Sequence, residues 1–167
     1  MVNSISEFSW VGSQEHCVDT INIQNVNHIS VGRFGGNSSA GQYKNEDGCL
    51  VWANQEQNWE FAIILDAHHS AESAELVITQ FLAYKSTIHN LLSKPYNQAL
   101  LEMEQTVLQL FQEEDFLSKC REVKGETACL LVLRIDKYIW WLSIGDCIAY
   151  IFHPELSRLG QYQLNQR

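Results

Sequence analysis

The spacing of apolar residues along this chain changes period twice. Residues 29–34, Ile-Ser-Val-Gly-Arg-Phe, alternate apolar with polar or small residues, the period of a half-buried strand. Gly35-Gly36-Asn37-Ser38-Ser39 then reads as a turn. Residues 49–53 and 59–65 are two apolar runs on either side of the polar stretch Asn54-Gln55-Glu56-Gln57-Asn58, a predicted hairpin. From residue 70 the period becomes helical. Ala74, Val77, Phe81, Tyr84, Ile88 and Leu91 recur at three- and four-residue steps, one stripe with Ser70 as its cap. Pro95 opens a second helix that buries Leu100, Met103, Val107 and Leu110 and turns Glu102, Glu104, Glu113, Glu114 and Asp115 to solvent. Strand periodicity returns over 127–135 and 138–144, around the two-residue turn Asp136-Lys137. After the turn Gly145-Asp146, residues 147–152 read as a further strand. Residues 128–133 are apolar on both faces and should lie between layers. Strands, two amphipathic helices, then strands is the pattern of an α+β domain with helices laid on an antiparallel sheet.

The 167 residues make one domain, 1–167. A hydrophobic fraction of 46% against 19% charged residues supports a packed core rather than disorder. The net charge of −9 argues against a nucleic-acid backbone or an anionic membrane as partner, and favours divalent cations. The five cysteines are odd in number, scattered and without a C-x-x-C pair, so neither a disulfide framework nor a zinc knuckle is expected. Cys129 and Cys147 lie in apolar stretches and read as core. There is no signal-peptide pattern at the N-terminus and no apolar run of about 18 residues, so a cytoplasmic location is expected.

Two short acidic motifs carry the candidate chemistry. Asn45-Glu46-Asp47 and Asp66-Ala67-His68-His69 lie on either side of the predicted hairpin, whose midpoint falls in its polar stretch. Asp47 and Asp66 should therefore stand side by side at the open end of two strands. Their carboxylates are hard oxygen ligands suited to Mg2+ or Mn2+, and the Ala67 carbonyl can add a third oxygen. His68 is placed to protonate a leaving oxygen. The alternative is structural: each acidic motif caps a turn, and His68 closes the bend from strand to helix.

At these residues the chain resembles the metal-dependent type-2C serine/threonine protein phosphatases, the PPM family. Asn45-Glu46-Asp47 is similar to the family's Asn-Glu-Asp or Met-Glu-Asp motif. Residues 61–74 are similar to its strand, Asp-Gly-His-Gly-Gly turn and helix start. Gly125-Glu126-Thr127-Ala128 is similar to its Gly-Ser-Thr-Ala block, and Ser143-Ile144-Gly145-Asp146 to its Asn-x-Gly-Asp turn. The blocks follow the family's order over residues 28–155. The resemblance implies a four-layer fold, an antiparallel β-sandwich flanked by helices. It implies Asp47 and Asp66 as metal ligands, with the Ala67 carbonyl beside them. By the same resemblance His68 is the general acid, Glu46 orients metal-bound water, and Asp146 borders a third, weaker cation. The implied reaction is hydrolysis of phosphoserine and phosphothreonine in a phosphoprotein substrate.

The chain also departs from the family. Gln42 stands where the family has an arginine that grips phosphate, and a glutamine lacks that charge. Lys44 is near in sequence but acts as a point charge. Ala67, His69 and Ser70 replace the turn's three glycines, so any of these positions that needs a positive φ is strained. The family domain is about half again as long, and its later Asp-Gly and Asp-Asn motifs have no counterpart here. After Asp146 the only acidic residue is Glu155. A truncated domain carrying part of the active site, with open sheet edges that favour a homodimer, is the expectation. The alternative functions are a catalytically inactive, phosphatase-like binding or regulatory module and an unrelated phosphoesterase built on Asp-x-His-His.

Overall fold

A computed structural model describes residues 5–165. Its central layer is a five-stranded antiparallel sheet made of β1 (Ser6–Val11), β4 (Gly48–Asn54), β5 (Trp59–His68), β6 (Glu126–Ile135) and β7 (Tyr138–Ile144), adjacent in that order. A separate antiparallel pair, β2 (Asn22–Val26) and β3 (Ile29–Arg33), forms a two-stranded hairpin. Four helices follow β5: α1 (Glu72–Ala83), α2 (Lys85–Leu92), α3 (Tyr96–Phe111) and α4 (Glu114–Cys120). The expected α+β class is observed, with both predicted hairpins in the central sheet.

The helices differ from expectation in number. The first apolar stripe belongs to two helices, because Tyr84 leaves helical geometry (φ −99°, ψ 13°) and its hydroxyl donates to Glu113. The stripe still faces one way, and Phe81, Ile88 and Leu91 are all buried. The cap is also displaced: α1 begins at Glu72, whose N–H reaches the Ser70 Oγ at 3.3 Å. Glu114 and Asp115 do not continue the second helix. They open α4, where negative charge meets the exposed N–H groups of a helix start.

Alternation gives the sheet two different faces. One carries Trp52, Phe61, Ile63, Leu65, Leu131 and Leu133, which pack with Phe81, Ile88, Met103 and Val107 from the helices into one cluster. Each of these large side chains is essentially fully buried and contributes about 1.5–3 kcal/mol of transfer free energy. The His89 ring meets the face of Trp52 edge-on at 4.9 Å, and burial holds the imidazole below its ordinary pKa.

The other face is covered in part. Val26, Ile29 and Val31 of the hairpin pack over Val51, Ala53 and Ala62. Arg33 is buried with its guanidinium 5.2 Å from both the Phe8 and Trp10 rings, bonded to Glu15 at 3.2 Å and Asn22 at 2.6 Å. Glu60 fastens hairpin to sheet, taking His28 at 3.0 Å from the hairpin and Arg134 at 2.7 Å from β6. Beyond the hairpin the apolar surface is open, with Ile64 54% and Trp141 38% exposed. Burial between layers therefore holds for Leu130 but stops at half-burial for Val132.

Residues 147–152 form no strand. Their backbone bonds to the segment that follows instead of to β7, with Ile151 N–H to the Tyr162 carbonyl at 2.7 Å and Leu164 N–H to the Ala149 carbonyl at 2.8 Å. A short helix, α5 (Pro154–Arg158), lies between the two segments. Among the described residues no helix is long and apolar enough to cross a membrane.

Candidate functional site

The two acidic motifs meet because of strand register. Gly48 of β4 pairs with Leu65 of β5, so the next residues outward, Asp47 and Asp66, face each other. They lie on the sheet's open face, at one end of a groove of about 300 Å³ that the β2–β3 hairpin roofs. Burial pushes the Asp47 carboxyl above the ordinary carboxylate range, and the Asp66 charge pushes it further. The Ala67 N–H and His68 act in the opposite direction, while Glu46 adds a smaller upward push.

The loop before β4 holds Asp47 in place. Asn45, nearly buried, accepts the Asp47 N–H on its side-chain oxygen at 2.9 Å. Gly12 lies so close that a Cβ there would stand 2.2 Å from the Asn45 carbonyl oxygen. The Asp47 carbonyl accepts the Gly12 N–H at 2.8 Å.

Asp66, Ala67 and His68 belong to β5 itself, opposite Ala128, Thr127 and Glu126. The expected strand-to-helix turn therefore begins at His69, three residues later than the motif suggests. Extended geometry places Asp66 and His68 on the same face, with His68 Nε2 3.8 Å from the Asp66 carboxylate. The Ala67 side chain is buried on the helix side. Its N–H points at Asp47, and a strand residue's C=O lies on the same edge as its N–H, so the Ala67 carbonyl faces that side too.

Of the three replaced glycines, one position carries the strain. His69 adopts φ +76°, the left-handed region, whereas Ala67 is extended. The bend is then clamped from the loop just before β6. The Ser70 hydroxyl donates to the Lys124 carbonyl, and the Lys124 N–H donates to Glu72 at 2.6 Å. Gly125 sits against the bend at φ +94°, and a Cβ there would stand 2.2 Å from the His68 carbonyl oxygen.

The remaining candidates are more dispersed. Glu46 is paired with Lys44, whose ammonium also reaches the His69 carbonyl at 3.3 Å. Asp146 lies across a second cleft, of about 490 Å³, lined also by His68, Glu126 and Thr127. The stem of Gln42 lies beside Gly36. Two residues have roles that sequence reasoning missed. Lys44 ties the two motifs together. Cys147 is half-buried, and its thiol is pushed up by burial and then by Asp66, Asp146 and Asp47. The Gly145-Asp146-Cys147 turn was the available signal for Cys147; Lys44 reads only as a point charge near Gln42, and nothing local marks its reach to His69.

The structure thus brings Asp47, Asp66 and His68 together, and Asp146 shares the second cleft with His68. Among the described residues, no ion pair joins a lysine or arginine to Asp47 or Asp66. Nor does any group of three or more His, Cys, Asp or Glu stand ready to hold a metal ion. Comparison of the chain with protein-family models, with curated proteins and with solved structures gave no match.

Proposed function

We propose that the chain carries part of a metal-dependent phosphatase site, in the manner of the type-2C family, acting on phosphoserine or phosphothreonine in proteins. One observation carries this reading. Two carboxylates meet just beyond the last pair of the β4–β5 ladder with no lysine or arginine paired to either, and Asp47 is raised above its ordinary pKa first by burial and then by the Asp66 charge. A hard divalent cation, Mg2+ or Mn2+, would relieve the Asp47–Asp66 repulsion, and Mg2+ usually takes only one or two protein carboxylates. Asp47 and Asp66 would hold it, with the Ala67 carbonyl on the same side. When bound, the cation supplies Lewis-acid polarisation of a phosphoryl oxygen.

The chain's own groups account for the rest. His68 stands beside Asp66, exposed, where it can hold a proton for a leaving serine or threonine oxygen. Asn45 and Gly12 fix Asp47, so the carboxylate need not be ordered on binding. Glu46 accepts from Lys44 at the margin, and Asp146 adds negative charge across the second cleft. Five free cysteines suit a reducing compartment, the cytoplasm. A second reading, a phosphatase-like binding module, is favoured by the small number of converging ligands and by the open apolar face beside them.

The test is hydrolysis of p-nitrophenyl phosphate with Mn2+. The chain should turn over the ester, and Asp66→Asn should lower the rate by more than about a hundredfold. Equal rates in the two proteins would remove Asp66 from the site; no metal-dependent turnover in either would leave the module reading.

A further inference from the structure

We propose that the free edge of β7 pairs with β7 of a second copy of this chain, antiparallel about a twofold axis at Trp141, so that two five-stranded sheets join edge to edge. β7 is the last strand of its sheet. Its backbone bonds to β6 on one side and, among the described residues, to nothing on the other. The segment that follows is bonded to β7 through the Ser143 hydroxyl, which takes a hydrogen bond from Asn165 at 2.9 Å.

The two edges of the sheet are built differently. β1 carries Glu7, ion-paired to Lys85, and the β2–β3 hairpin reaches it, with Asn27 accepting from the Ser6 hydroxyl at 3.3 Å. β7 reads Tyr-Ile-Trp-Trp-Leu-Ser-Ile, without a charge, a proline or a glycine, and no bulge interrupts its register with β6. Charges, prolines and bulges are how an edge strand refuses a further strand, and β7 has none of them. Tyr138, Ile139, Trp141 and Ile144 remain 37–47% exposed on it.

Self-complementarity selects the occupant. A twofold axis perpendicular to the sheet keeps both helix layers on one side, so open-face residues meet open-face residues. Ile139, Trp141 and Ser143 are on the open face, opposite Arg134, Val132 and Leu130 of β6. An axis at Trp141 sets Trp141 against its own copy, Trp140 against Leu142 and Tyr138 against Ile144, with no charge opposed along the strand. Aromatic and aliphatic cross-strand pairs of this kind stabilise sheets. The charges that bracket the strand match as well. Lys137 precedes it, with its ammonium 5.6 Å from the Tyr138 ring centre, and Asp146 follows it. Neither has an ion-pair partner among the described residues. Antiparallel pairing brings Lys137 of each copy to the end where the other copy's Asp146 lies, whereas parallel pairing sets like beside like. The neighbouring Asp136 is already bonded by the Asn58 side chain at 2.7 Å.

Two chains of net charge −9 repel, so the test belongs at about 0.15 M salt, where the screening length is about 8 Å. Sedimentation velocity from about 1 to 200 µM should show a monomer–dimer equilibrium, with β7 amides gaining protection from hydrogen exchange as the dimer fills. Ile139→Lys, at an exposed position, should melt like the wild type and weaken the dimer by more than about tenfold. Lys137→Glu and Asp146→Lys should each weaken it by about fivefold or more. An equimolar mixture of these two variants should regain wild-type affinity, because each end of the mixed pair again joins opposite charges. A wild-type chain that stays monomeric overturns the proposal, and protected β7 amides in such a monomer would assign the edge to another segment of the chain. A dimer indifferent to Ile139→Lys also overturns it, as does a mixture no tighter than its single variants.

Discussion

At the scale of single residues, the site is a compromise between charge and backbone. Asp47 is raised above its ordinary pKa, so the folded state binds its proton more tightly than the unfolded chain does. That group contributes no penalty below about pH 3.8, and the penalty grows as pH rises through the folded value. In EDTA at pH 7, Asp47→Asn should therefore stabilise the chain, by a few tenths of a kcal/mol after solvent screening. The gain should vanish near pH 3, and the same variant should lose any rise in Tm that Mn2+ gives the wild type. A drop in Tm without metal, with the Mn2+ response kept, would contradict the crowding argument. His69 pays a different cost. At φ +76° a side chain is disfavoured, so His69→Gly should gain about 0.5–1 kcal/mol in chemical denaturation. A loss there would mean that the imidazole makes a stabilising contact that outweighs the strain.

At the scale of elements, the hairpin and the clamp do the positioning. Gly125 can approach the His68 carbonyl only because it lacks a Cβ. Gly125→Ala should cost more than about 2 kcal/mol and displace the end of β5, visible as shifted His68 ring resonances. An unchanged melt would mean that the 124–126 loop moves freely. This scale is also where the sequence reads best. The turn at residues 54–58 and the turn Asp136-Lys137 are local signals, and both hairpins stand where they predict. The stripe from Ala74 to Leu91 names buried residues at all its positions but Tyr84, and cannot reveal that the helix breaks there, where the side chain reaches Glu113, 29 residues away. β1 is outside the sequence reading although Phe8 and Trp10 alternate with polar neighbours, because the turn at Gly12-Ser13-Gln14 frames it on one side only. The strand expected at 147–152 failed for the opposite reason. Its alternation is strand-like, but whether a strand forms depends on which backbone lies beside it, and here that is residues 162–164. Asp47 opposite Asp66 was legible from arithmetic alone; Lys44 reaching across to His69 was not, since it depends on how two loops meet.

At the scale of the whole molecule, one buried carboxylate adds an ionic tie to the apolar packing of hairpin on sheet. Burial pushes Glu60 up, but Arg134 and His28 outweigh it and hold the carboxyl below its ordinary range. Its stabilisation is present above about pH 4.5 and is lost as pH falls through the folded value. Glu60→Gln should cost about 1–2 kcal/mol at pH 7 and progressively less as pH falls through the folded value, with hydrogen exchange in β2–β3 rising first. Uniform loss of protection across the sheet would show that the hairpin is not a separate unit. The β4–β5 ladder has a last consequence, for how this sequence can vary over evolutionary time. Each pair in it sums to the same number, 113, and so do 47 and 66. Lengthening the tip between Asn54 and Trp59 leaves that pairing intact. One residue inserted or deleted within either arm turns one aspartate to the helix side and leaves the other alone. Related chains that keep the carboxylate pair should therefore differ in length at the tip and hold a fixed length along the arms.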